Sequence, residues 1–322
     1  MPPPVDLLLL KAMQPSVMDA LARAFTVHRL DQVRDREAFL DEAGPRIRGL
    51  AVGAQAPVDE ALLARLPGLE IVASLGVGYD TVDVRAAAAR GVVVTHTPDV
   101  LNEEVADLTL GLLLATVRQI PQADRYLRSG RWSERSFPLT TTLRGRRVGI
   151  LGLGRIGHAV ARRLDGFGVA IAYHGRHAQE GVGYEYHPTL LGLAQAVDVL
   201  IVVAPGGPGT KGLVDAAILA ALGPDGILVN VARGSVVDEA ALIAALKEGT
   251  IRSAGLDVFA GEPHVPAELV ALDQVVLLPH VGSGTDQTRA AMGQLVIDNL
   301  VSWFGGHGPL TPVPETPWRG AR

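Results

Sequence analysis

Short apolar runs alternate with longer stretches of helical periodicity along nearly the whole chain. In the first part of the chain the apolar runs are Val5–Leu10, Ile47–Val52, Glu70–Ser74 and Val92–Thr95. Glycine and proline mark the joints, as at Gly44-Pro45 and Pro67-Gly68. Strands that alternate with helices in this way predict βαβ units and a parallel sheet.

A second block repeats the alternation after residue 146. Its expected strands are 147–151, 169–173, 199–203, 227–231, 253–257 and 275–279, and its expected helices are 155–166, 189–196, 215–222 and 238–248. A last helix is expected from about Asp286 to Phe304, followed by a Pro/Gly-rich tail that ends the fold. The pattern is that of a doubly wound sheet.

A long apolar stretch and an irregular segment separate the two blocks. We expect one helix from about Asn102 to Arg118 and a second from Pro121 to Gly130. The segment "RWSERSFPLTTTLRG" (131–145) is polar and turn-rich, so we expect no regular element there. The prediction is therefore an α/β protein of two Rossmann-like, doubly wound domains with a cleft between them.

Composition narrows the function class. The chain has 322 residues and a formal net charge of −5 without any basic block, which argues against a nucleic-acid or membrane partner. It has no cysteine, so disulfides, thiolate metal sites and cysteine nucleophiles are excluded, and we expect no metal. The start does not resemble a signal peptide, and no apolar stretch approaches the ~18 residues of a membrane span. We expect a cytoplasmic protein.

A glycine turn follows the first strand of the second block. In "VGILGLGRIGHAVARRL" (148–164) the glycines have the G-x-G-x-x-G spacing between a strand and a helix, the context that a dinucleotide-binding turn requires. The first glycine permits a tight turn, the second lets backbone approach a pyrophosphate, and the third lets helix pack on strand. The candidate cofactor-binding residues here are Gly152, Leu153, Gly154, Arg155, Ile156 and Gly157.

The next strand ends without the acidic residue that would hold the ribose of NAD. It reads "AIAYHGRH" (170–177), and no Asp or Glu occurs between Ala170 and Ala178. Arg176 offers a planar fork suited to a 2′-phosphate, and His174 or His177 could add donors beside Gly175. We therefore expect NADPH to be preferred, with NAD possible. The alternative is that Arg176 is an ordinary solvated loop residue.

Three charged residues follow later strands of the second block. Arg233 follows "ILVNVA", Glu262 follows "AGLDVFAG" and His280 follows "VVLLP". In open α/β sheets ligands lie outside the carboxyl ends of the strands. Carbonyl reduction needs a cation for a substrate carboxylate and a proton donor, which suit Arg233 and His280, with Glu262 favouring the imidazolium. Taken singly, each residue has an ordinary structural explanation as a surface ion pair or a turn.

The motifs together are similar to one enzyme family. "VNVARGSVVDEAALIAALKEGTIRSAGLDVFAGEP" (229–263), "LLPHVGSGTDQTRAAM" (277–292), "GLGRIG" and "LEIVASLGVGYDTVDV" (69–84) resemble the D-isomer-specific 2-hydroxyacid dehydrogenases. The resemblance covers nearly the whole chain. Together with "FPLTTTLRGRRVGILGLGRIG" (137–157), it is greatest to the NADPH-dependent hydroxypyruvate, glyoxylate and hydroxyphenylpyruvate reductases.

The resemblance implies a role for each matching residue. Arg233 would bind the substrate carboxylate, His280 would donate the proton, and Glu262 would be its acidic partner. Val77 and Gly78 would present backbone N–H groups to that carboxylate. Further cofactor contacts would come from Ala204, Pro205, Val231, Ala232, Arg233, Gly282 and Asp257, the last at the nicotinamide carboxamide.

The same resemblance implies the domain organisation. Residues 1–98 with 288–322 would form the substrate domain, and residues 99–287 the dinucleotide-binding domain. We expect a homodimer, because the apolar helix from Asn102 would otherwise expose too much apolar surface. Trp132 would either reach the partner's cleft and touch substrate or pack at the dimer interface.

The expected reaction is the reduction of a small 2-oxoacid, hydroxypyruvate or glyoxylate, to the D-2-hydroxyacid. Two other readings compete with it. One is a cofactor-sensing, corepressor-like binding protein on the same fold, which would bind NAD(P)H without turnover. The other is a formate- or phosphite-type dehydrogenase, which a substrate panel would separate.

Overall fold

The computed structural model describes residues 5–53, 56–316, 318 and 320. The chain divides into two compact units. The first consists of the described residues of Met1–Leu101 and Thr285–Arg322, and the second is Asn102–Gly284.

Each unit is an alternation of strands and helices. The strands are β1 (Asp6–Leu9), β2 (Thr26–Arg29), β3 (Ile47–Gly53), β4 (Ile71–Leu75), β5 (Val93–Thr95), β6 (Arg147–Leu151), β7 (Ala170–His174), β8 (Glu185–Tyr186), β9 (Val199–Val202), β10 (Ile227–Asn230), β11 (Ser253–Leu256) and β12 (Val275–Leu277). The helices are α1 (Pro15–Ala24), α2 (Arg36–Ala43), α3 (Glu60–Ala64), α4 (Val84–Ala89), α5 (Asn102–Val117), α6 (Ile120–Arg128), α7 (Arg155–Asp165), α8 (Leu190–Ala196), α9 (Ala216–Leu222), α10 (Glu239–Glu248), α11 (Ala267–Val270) and α12 (Asp286–Phe304). Short 3-10 turns lie at Leu30–Gln32, Gly44–Arg46, Arg131–Ser133 and Gly234–Val236.

Both sheets are parallel. The first unit has the strand order β2-β1-β3-β4-β5, and the second has β12-β11-β10-β9-β6-β7-β8. In the second sheet β6 lies between β7 and β9, so the winding direction reverses at β6, the place where such sheets bind ligands. The expected α/β class with two doubly wound parallel sheets is confirmed.

Continuous apolar runs form the central strands because helices cover both faces of each sheet. Leu7, Leu8 and Leu9 of β1 are fully buried. Every residue of β9, β10 and β11 is buried as well. A strand that is buried on both faces has a continuous apolar run instead of the apolar–polar alternation of a half-exposed strand. The central strands of this sequence have such continuous runs.

Many helices begin at a side chain that accepts a backbone N–H of the first turn. Asp and Thr side chains do this where the sequence leaves a strand and enters a helix. These N-cap residues are Asp35, Asp59, Asp83, Thr189, Asp215, Asp238 and Thr285. The caps explain why α8, α9 and α10 begin within one residue of the predicted positions.

Two expectations differ from the structure. The short edge strands β2 and β8 were not predicted, since their sequences "TVHR" and "EY" carry little apolar signal. The long helix α5 does not expose an apolar surface, because it packs against α7 and against β10, β11 and β12 of its own unit. The premise for a dimer through α5 is therefore wrong. None of the described helices is both long and apolar enough to cross a membrane.

The tail after α12 does more than end the fold. Pro312 forms an antiparallel bridge with Thr95, and the side chain of Val313 is fully buried in the core of the first unit. The Val94 N–H donates to the hydroxyl of Thr316 at 2.8 Å. This C-terminal segment, residues 310–316, thus covers the open edge of β5, which would otherwise present unpaired backbone groups.

Candidate active site

Three neighbouring strands of the second sheet lead to the charged residues expected to carry the chemistry. Strands β10, β11 and β12 are adjacent and parallel, so their carboxyl ends lie along one edge of the sheet. Arg233 follows β10, Glu262 follows β11 and His280 follows β12. The structure places the three residues at the ends of neighbouring strands.

His280 and Glu262 form a hydrogen-bonded pair. The Nδ1 atom of His280 lies 2.7 Å from Oε2 of Glu262, and the other carboxylate oxygen accepts the Phe259 N–H at 2.9 Å. An ionised carboxylate is only an acceptor, so Nδ1 is assigned as the donor. The side chains are 29% and 17% exposed, which leaves the ring partly accessible. With Nδ1 assigned to the carboxylate, Nε2 is the other ring nitrogen and can serve as a proton donor.

Asp257 holds the backbone around His280. Its carbonyl accepts the His280 N–H at 2.8 Å, and its two carboxylate oxygens accept the N–H groups of Val281 and Gly282, each at 2.8 Å. His280 has φ = +55°, a left-handed conformation that costs a non-glycine residue about 1–3 kcal/mol. Asp257 is 1% exposed, and burial raises the pKa of its carboxyl although the two N–H donors act against that. The buried carboxylate therefore keeps the histidine in a strained conformation.

The loop that carries Arg233 is shaped by a residue that sequence reasoning missed. The Asn230 side chain accepts the Ala232 N–H at 3.0 Å and donates to the Arg233 carbonyl at 3.0 Å. Nη1 of Arg233 donates to the carbonyl of Ala232 at 2.8 Å. Ala232 is buried and Val231 half-buried beside it. The signal available for Asn230 was a polar residue at the end of an otherwise apolar strand.

Gly234 brings this loop against the next one. A Cβ at Gly234 would lie 1.9 Å from the carbonyl carbon of Phe259, the residue that bonds Glu262. Real Cβ atoms are not found at such a distance, so only glycine permits this contact. The loops of Arg233 and Glu262 are thereby packed backbone to backbone.

The glycine turn has the geometry that a dinucleotide needs. Gly152 has φ = +97°, and a Cβ there would lie 2.8 Å from the backbone of Ala204 at the end of β9. A Cβ at Gly157 would lie 2.3 Å from the Gly152 carbonyl oxygen, so packing requires both glycines. A Cβ at Gly154 would meet nothing within 4 Å. The open side of the turn at the start of α7 therefore fits a pyrophosphate, which backbone N–H groups and the helix dipole would hold.

The other predicted residues of this turn differ in exposure. Leu153 is 3% exposed and packs in the core, where Ile156 also packs, so only their backbone groups can face a ligand. Arg155 is exposed at the first position of α7. Pro205 is exposed just after Ala204.

The strand end that lacks an acid carries its basic residues at the surface. Arg176 and His177 are exposed just after β7, and Gly175 is half-buried. The Nδ1 atom of His174 lies 2.8 Å from the His187 carbonyl, so this histidine is used within the fold. A carboxylate at this strand end would repel a 2′-phosphate, whereas an exposed guanidinium can bind one.

Gln179 ties that loop to the glycine turn and was not predicted. Its side-chain amide donates to the Leu153 carbonyl at 2.6 Å, and its Oε1 lies 2.8 Å from Nε2 of His158. Its backbone N–H donates to the Tyr173 hydroxyl at 2.8 Å. No local sequence pattern identifies a glutamine that bonds two distant segments.

The predicted substrate-contacting residues Val77 and Gly78 lie in the first unit, in the loop after β4. The Val77 carbonyl accepts from Nδ1 of His96 at 2.9 Å. Among the described residues, the N–H groups of Val77 and Gly78 have no hydrogen-bond acceptor. Both residues are half-buried, so these donors fit an anionic ligand group.

Trp132 lies in the 3-10 turn Arg131–Ser133 and is 65% exposed. In the preceding helix, α6, no residue is buried. This part of the second unit presents apolar side chains that the described part of the chain does not cover.

The chain is similar to known proteins over nearly its whole length. Residues 110–282 match the family model described as D-isomer specific 2-hydroxyacid dehydrogenase, NAD binding domain. The chain is 45% identical over 309 residues to glyoxylate/hydroxypyruvate reductase A HPR2 of Arabidopsis thaliana, covering 96% of this chain and 99% of that protein. It is 43% identical over 309 residues to hydroxyphenylpyruvate reductase of Plectranthus scutellarioides, with 96% and 99% coverage.

A solved structure is similar over the full length. The NADPH-dependent glyoxylate/hydroxypyruvate reductase of Sinorhizobium meliloti, in complex with NADP and malonate, is 51% identical to this chain. The TM-score is 0.92, and 99% of each chain is covered.

Proposed function

The chain belongs to the D-isomer-specific 2-hydroxyacid dehydrogenases, and from this premise we propose that it reduces hydroxypyruvate or glyoxylate to the D-2-hydroxyacid with NADPH. The observation that carries the proposal is the His280–Glu262 pair, at 2.7 Å, whose two residues follow β12 and β11, the strands next in order to β10, which leads to Arg233. Relatives named glyoxylate/hydroxypyruvate reductase and hydroxyphenylpyruvate reductase support this substrate class. Dinucleotide binding is assigned to the second unit, which contains the glycine turn.

Each residue of the trio has a distinct role in this proposal. When bound, NADPH would supply the hydride that the carbonyl carbon of the 2-oxoacid accepts. Arg233 binds the substrate carboxylate and polarises the neighbouring carbonyl. His280 donates its Nε2 proton to the carbonyl oxygen as negative charge develops there, and it is left neutral. Glu262 accepts from Nδ1 and stabilises the imidazolium before the transfer.

The substrate carboxylate also takes hydrogen bonds from the backbone N–H groups of Val77 and Gly78. The absence of an acceptor for these groups among the described residues supports the assignment. The Gly282 N–H donates a hydrogen bond to the Asp257 carboxylate, so the main role of Asp257 in this proposal is to position the backbone around His280. A contact of Asp257 with the nicotinamide carboxamide stays a prediction.

NADPH is preferred to NADH because the end of β7 presents Arg176 and no carboxylate. Ala204, Pro205, Val231 and Ala232 are proposed to line the remaining cofactor surface. The first experiment is a comparison of initial rates of hydroxypyruvate reduction with NADPH and with NADH. A higher kcat/KM with NADPH is expected, and a clear NADH preference would overturn the cofactor assignment while leaving the reductase.

Arg176→Ala tests the residue itself. A charge-assisted hydrogen bond contributes about 1.5–3 kcal/mol, so KM for NADPH should rise about 10- to 100-fold while KM for NADH stays unchanged. Arg85→Ala, which removes an exposed arginine of the first unit, is the matched control and should change neither constant. An unchanged KM for NADPH in Arg176→Ala would show that this arginine is only a solvated loop residue.

A substrate panel tests the reaction. Turnover of hydroxypyruvate or glyoxylate supports the proposal, and turnover of formate or phosphite alone would replace it with a different dehydrogenase. Tight NADPH binding without turnover of any 2-oxoacid would favour a cofactor sensor.

The proposed homodimer forms through α6 and the segment after it. The large apolar side chains exposed there are Ile120, Leu127, Trp132 and Leu139. Sedimentation of the wild type and of Leu127→Glu tests this: a dimer that the glutamate dissociates is expected, and a monomeric wild type would overturn it. The cytoplasmic location and a substrate contact by Trp132 stay predictions.

A further inference from the structure

Three hydrogen bonds attach the loop Gly76–Tyr79, which contains Val77 and Gly78, to segments of the first unit that are distant in sequence. The Gly76 carbonyl accepts the Thr97 N–H at 2.8 Å. The Val77 carbonyl accepts from Nδ1 of His96 at 2.9 Å. The Tyr79 hydroxyl donates to Oε2 of Glu315, in the C-terminal segment, at 3.0 Å. None of these contacts uses the N–H groups of Val77 and Gly78.

The middle contact determines where the Gly78 N–H points. A trans peptide unit is planar, so the carbonyl of Val77 and the N–H of Gly78 point in opposite directions. Directing the carbonyl toward the His96 ring therefore directs the N–H away from it. A rotation of this one peptide plane would turn away a donor that the proposed function assigns to the substrate carboxylate.

His96 is itself held by the C-terminal segment. Its N–H donates to the Thr311 carbonyl at 3.2 Å, and the Thr311 hydroxyl donates to the His96 carbonyl at 2.6 Å. The His96 ring packs edge-on against Tyr79, with ring centroids 5.4 Å apart and an interplanar angle of 89°. Bonds on both sides of the backbone and a ring contact leave the imidazole little freedom to turn.

Asn299 of α12 fixes Thr311 in turn. Its Oδ1 accepts the N–H groups of Leu310 and Thr311 at 2.9 and 3.0 Å, and its Nδ2 donates to the Thr311 hydroxyl at 2.9 Å. Asn299 is fully buried, so its amide has these partners in place of water. A continuous set of hydrogen bonds thus runs from Asn299 through Thr311 and His96 to the Val77 carbonyl.

We infer that His96 is a positioning residue for substrate binding, and that the C-terminal segment, through Thr311, holds it in place. The inference rests on the proposed function, since it acts through the N–H donor of Gly78. His96 orients this donor and does not touch the substrate. Its loss should therefore weaken binding of the 2-oxoacid and leave cofactor binding intact.

The test compares His96→Ala with His96→Asn, because an asparagine Nδ2–H can replace the Nδ1–H donor to Val77. For His96→Ala we expect KM for hydroxypyruvate to rise about 10-fold, the size of one lost hydrogen bond, with kcat changed less than about threefold. The Kd for NADPH, from fluorescence titration, should not change. His96→Asn should restore KM to within about threefold of the wild type.

His28→Ala is the matched control, since His28 bonds Asp6 at 2.6 Å in the same unit and far from this loop in the sheet order. It should leave KM unchanged. An equal rise in KM in both His96 variants, or a parallel loss of NADPH affinity, would identify general structural damage and overturn the inference.

Hydrogen exchange separates this inference from the proposed function. The Thr97 amide donates to the Gly76 carbonyl, so its exchange should become faster in His96→Ala whether or not the protein reduces 2-oxoacids. A wild type without turnover would defeat the proposed function while this exchange result still reports the attachment. Faster exchange with an unchanged KM in an active enzyme would overturn the positioning role alone.

Discussion

Two loops of this protein are held in place by different means. The loop around His280 is held by carboxylates, with Asp257 on its backbone and Glu262 on its ring. The loop Gly76–Tyr79 is held mainly by backbone and imidazole donors to its carbonyls. A residue that gives up a proton needs a nearby charge that favours its protonated form. A loop that offers N–H donors needs only to be fixed through its other atoms.

The difference has an energetic side. Hydrogen bonds to charged groups contribute about 1.5–3 kcal/mol and neutral ones about 0.5–1.5 kcal/mol. The His280 loop also maintains a left-handed backbone at φ = +55°. Substitutions around His280 should therefore have larger effects, mainly on kcat. Substitutions around Val77 should have smaller effects, mainly on KM.

The largest effect is expected for His280→Gln, which removes the proposed proton donor. Acid catalysis by a positioned side chain contributes about 10²- to 10⁴-fold, so kcat for hydroxypyruvate should fall by that factor. NADPH oxidation gives the rate, and fluorescence titration should show that cofactor affinity is retained. A fall of less than tenfold would mean that another group supplies the proton.

Glu262→Gln keeps the shape of the pair and removes its charge. We expect kcat to fall about 10- to 100-fold, because a charged hydrogen bond to the imidazolium is lost. Initial rates of NADPH oxidation check this, and an unchanged kcat would indicate a purely structural glutamate.

Asp257→Asn separates stability from activity. The amide nitrogen would face the N–H of Val281 or Gly282, so the His280 backbone should shift and kcat fall about tenfold, the cost of one lost hydrogen bond. Burial raises the pKa of this carboxyl, so its charge is costly in the fold, and removing it offsets part of the lost bonding. The free energy of unfolding, measured in urea, should therefore change by less than about 1–2 kcal/mol. A larger decrease would show that Asp257 acts mainly on stability.

Tyr79→Phe is the smallest test and concerns the other loop. It removes the bond to Glu315 at a partly exposed site, so KM should rise less than about threefold and stability fall by less than about 1 kcal/mol at pH 8. Burial, with the bond and charge of Glu315, raises the Tyr79 pKa from 10.0 to about 12. The folded state thus favours the neutral phenol, and this contribution is complete below pH 10 and disappears as pH rises through about 12. Unfolding curves of the two proteins should converge over that range, and a constant difference would contradict the assignment.

Local sequence was enough for the glycine turn. The spacing of Gly152, Gly154 and Gly157 specifies the backbone path, and the structure gives two of them contacts that no side chain permits. Residues that follow strands could be predicted from local sequence equally well, because parallel strands bring their carboxyl ends to one edge of the sheet whatever the loop conformations are. The positions of Arg233, Glu262 and His280 after neighbouring strands were predicted in this way.

Sequence reasoning missed the residues whose function depends on a distant partner. Gln179 bonds Leu153, His96 bonds Val77, and Asn299 bonds Thr311. Each is a polar side chain in a segment without a motif. It also misjudged α5, since an apolar helix buried in its own unit has the same pattern as one that needs a partner.

The sequence by itself determined the alternation of strands and helices, the parallel sheets and the family, because periodicity, caps and glycine spacing are local properties. Only the tertiary structure decided how the two loops are held. The bonds from Asp257 to Val281 and from Asn299 to Thr311 form between side chains and backbone groups whose proximity is a result of folding. Hydrogen bonds require partners within about 3 Å, and no linear pattern specifies which distant groups will meet at that distance.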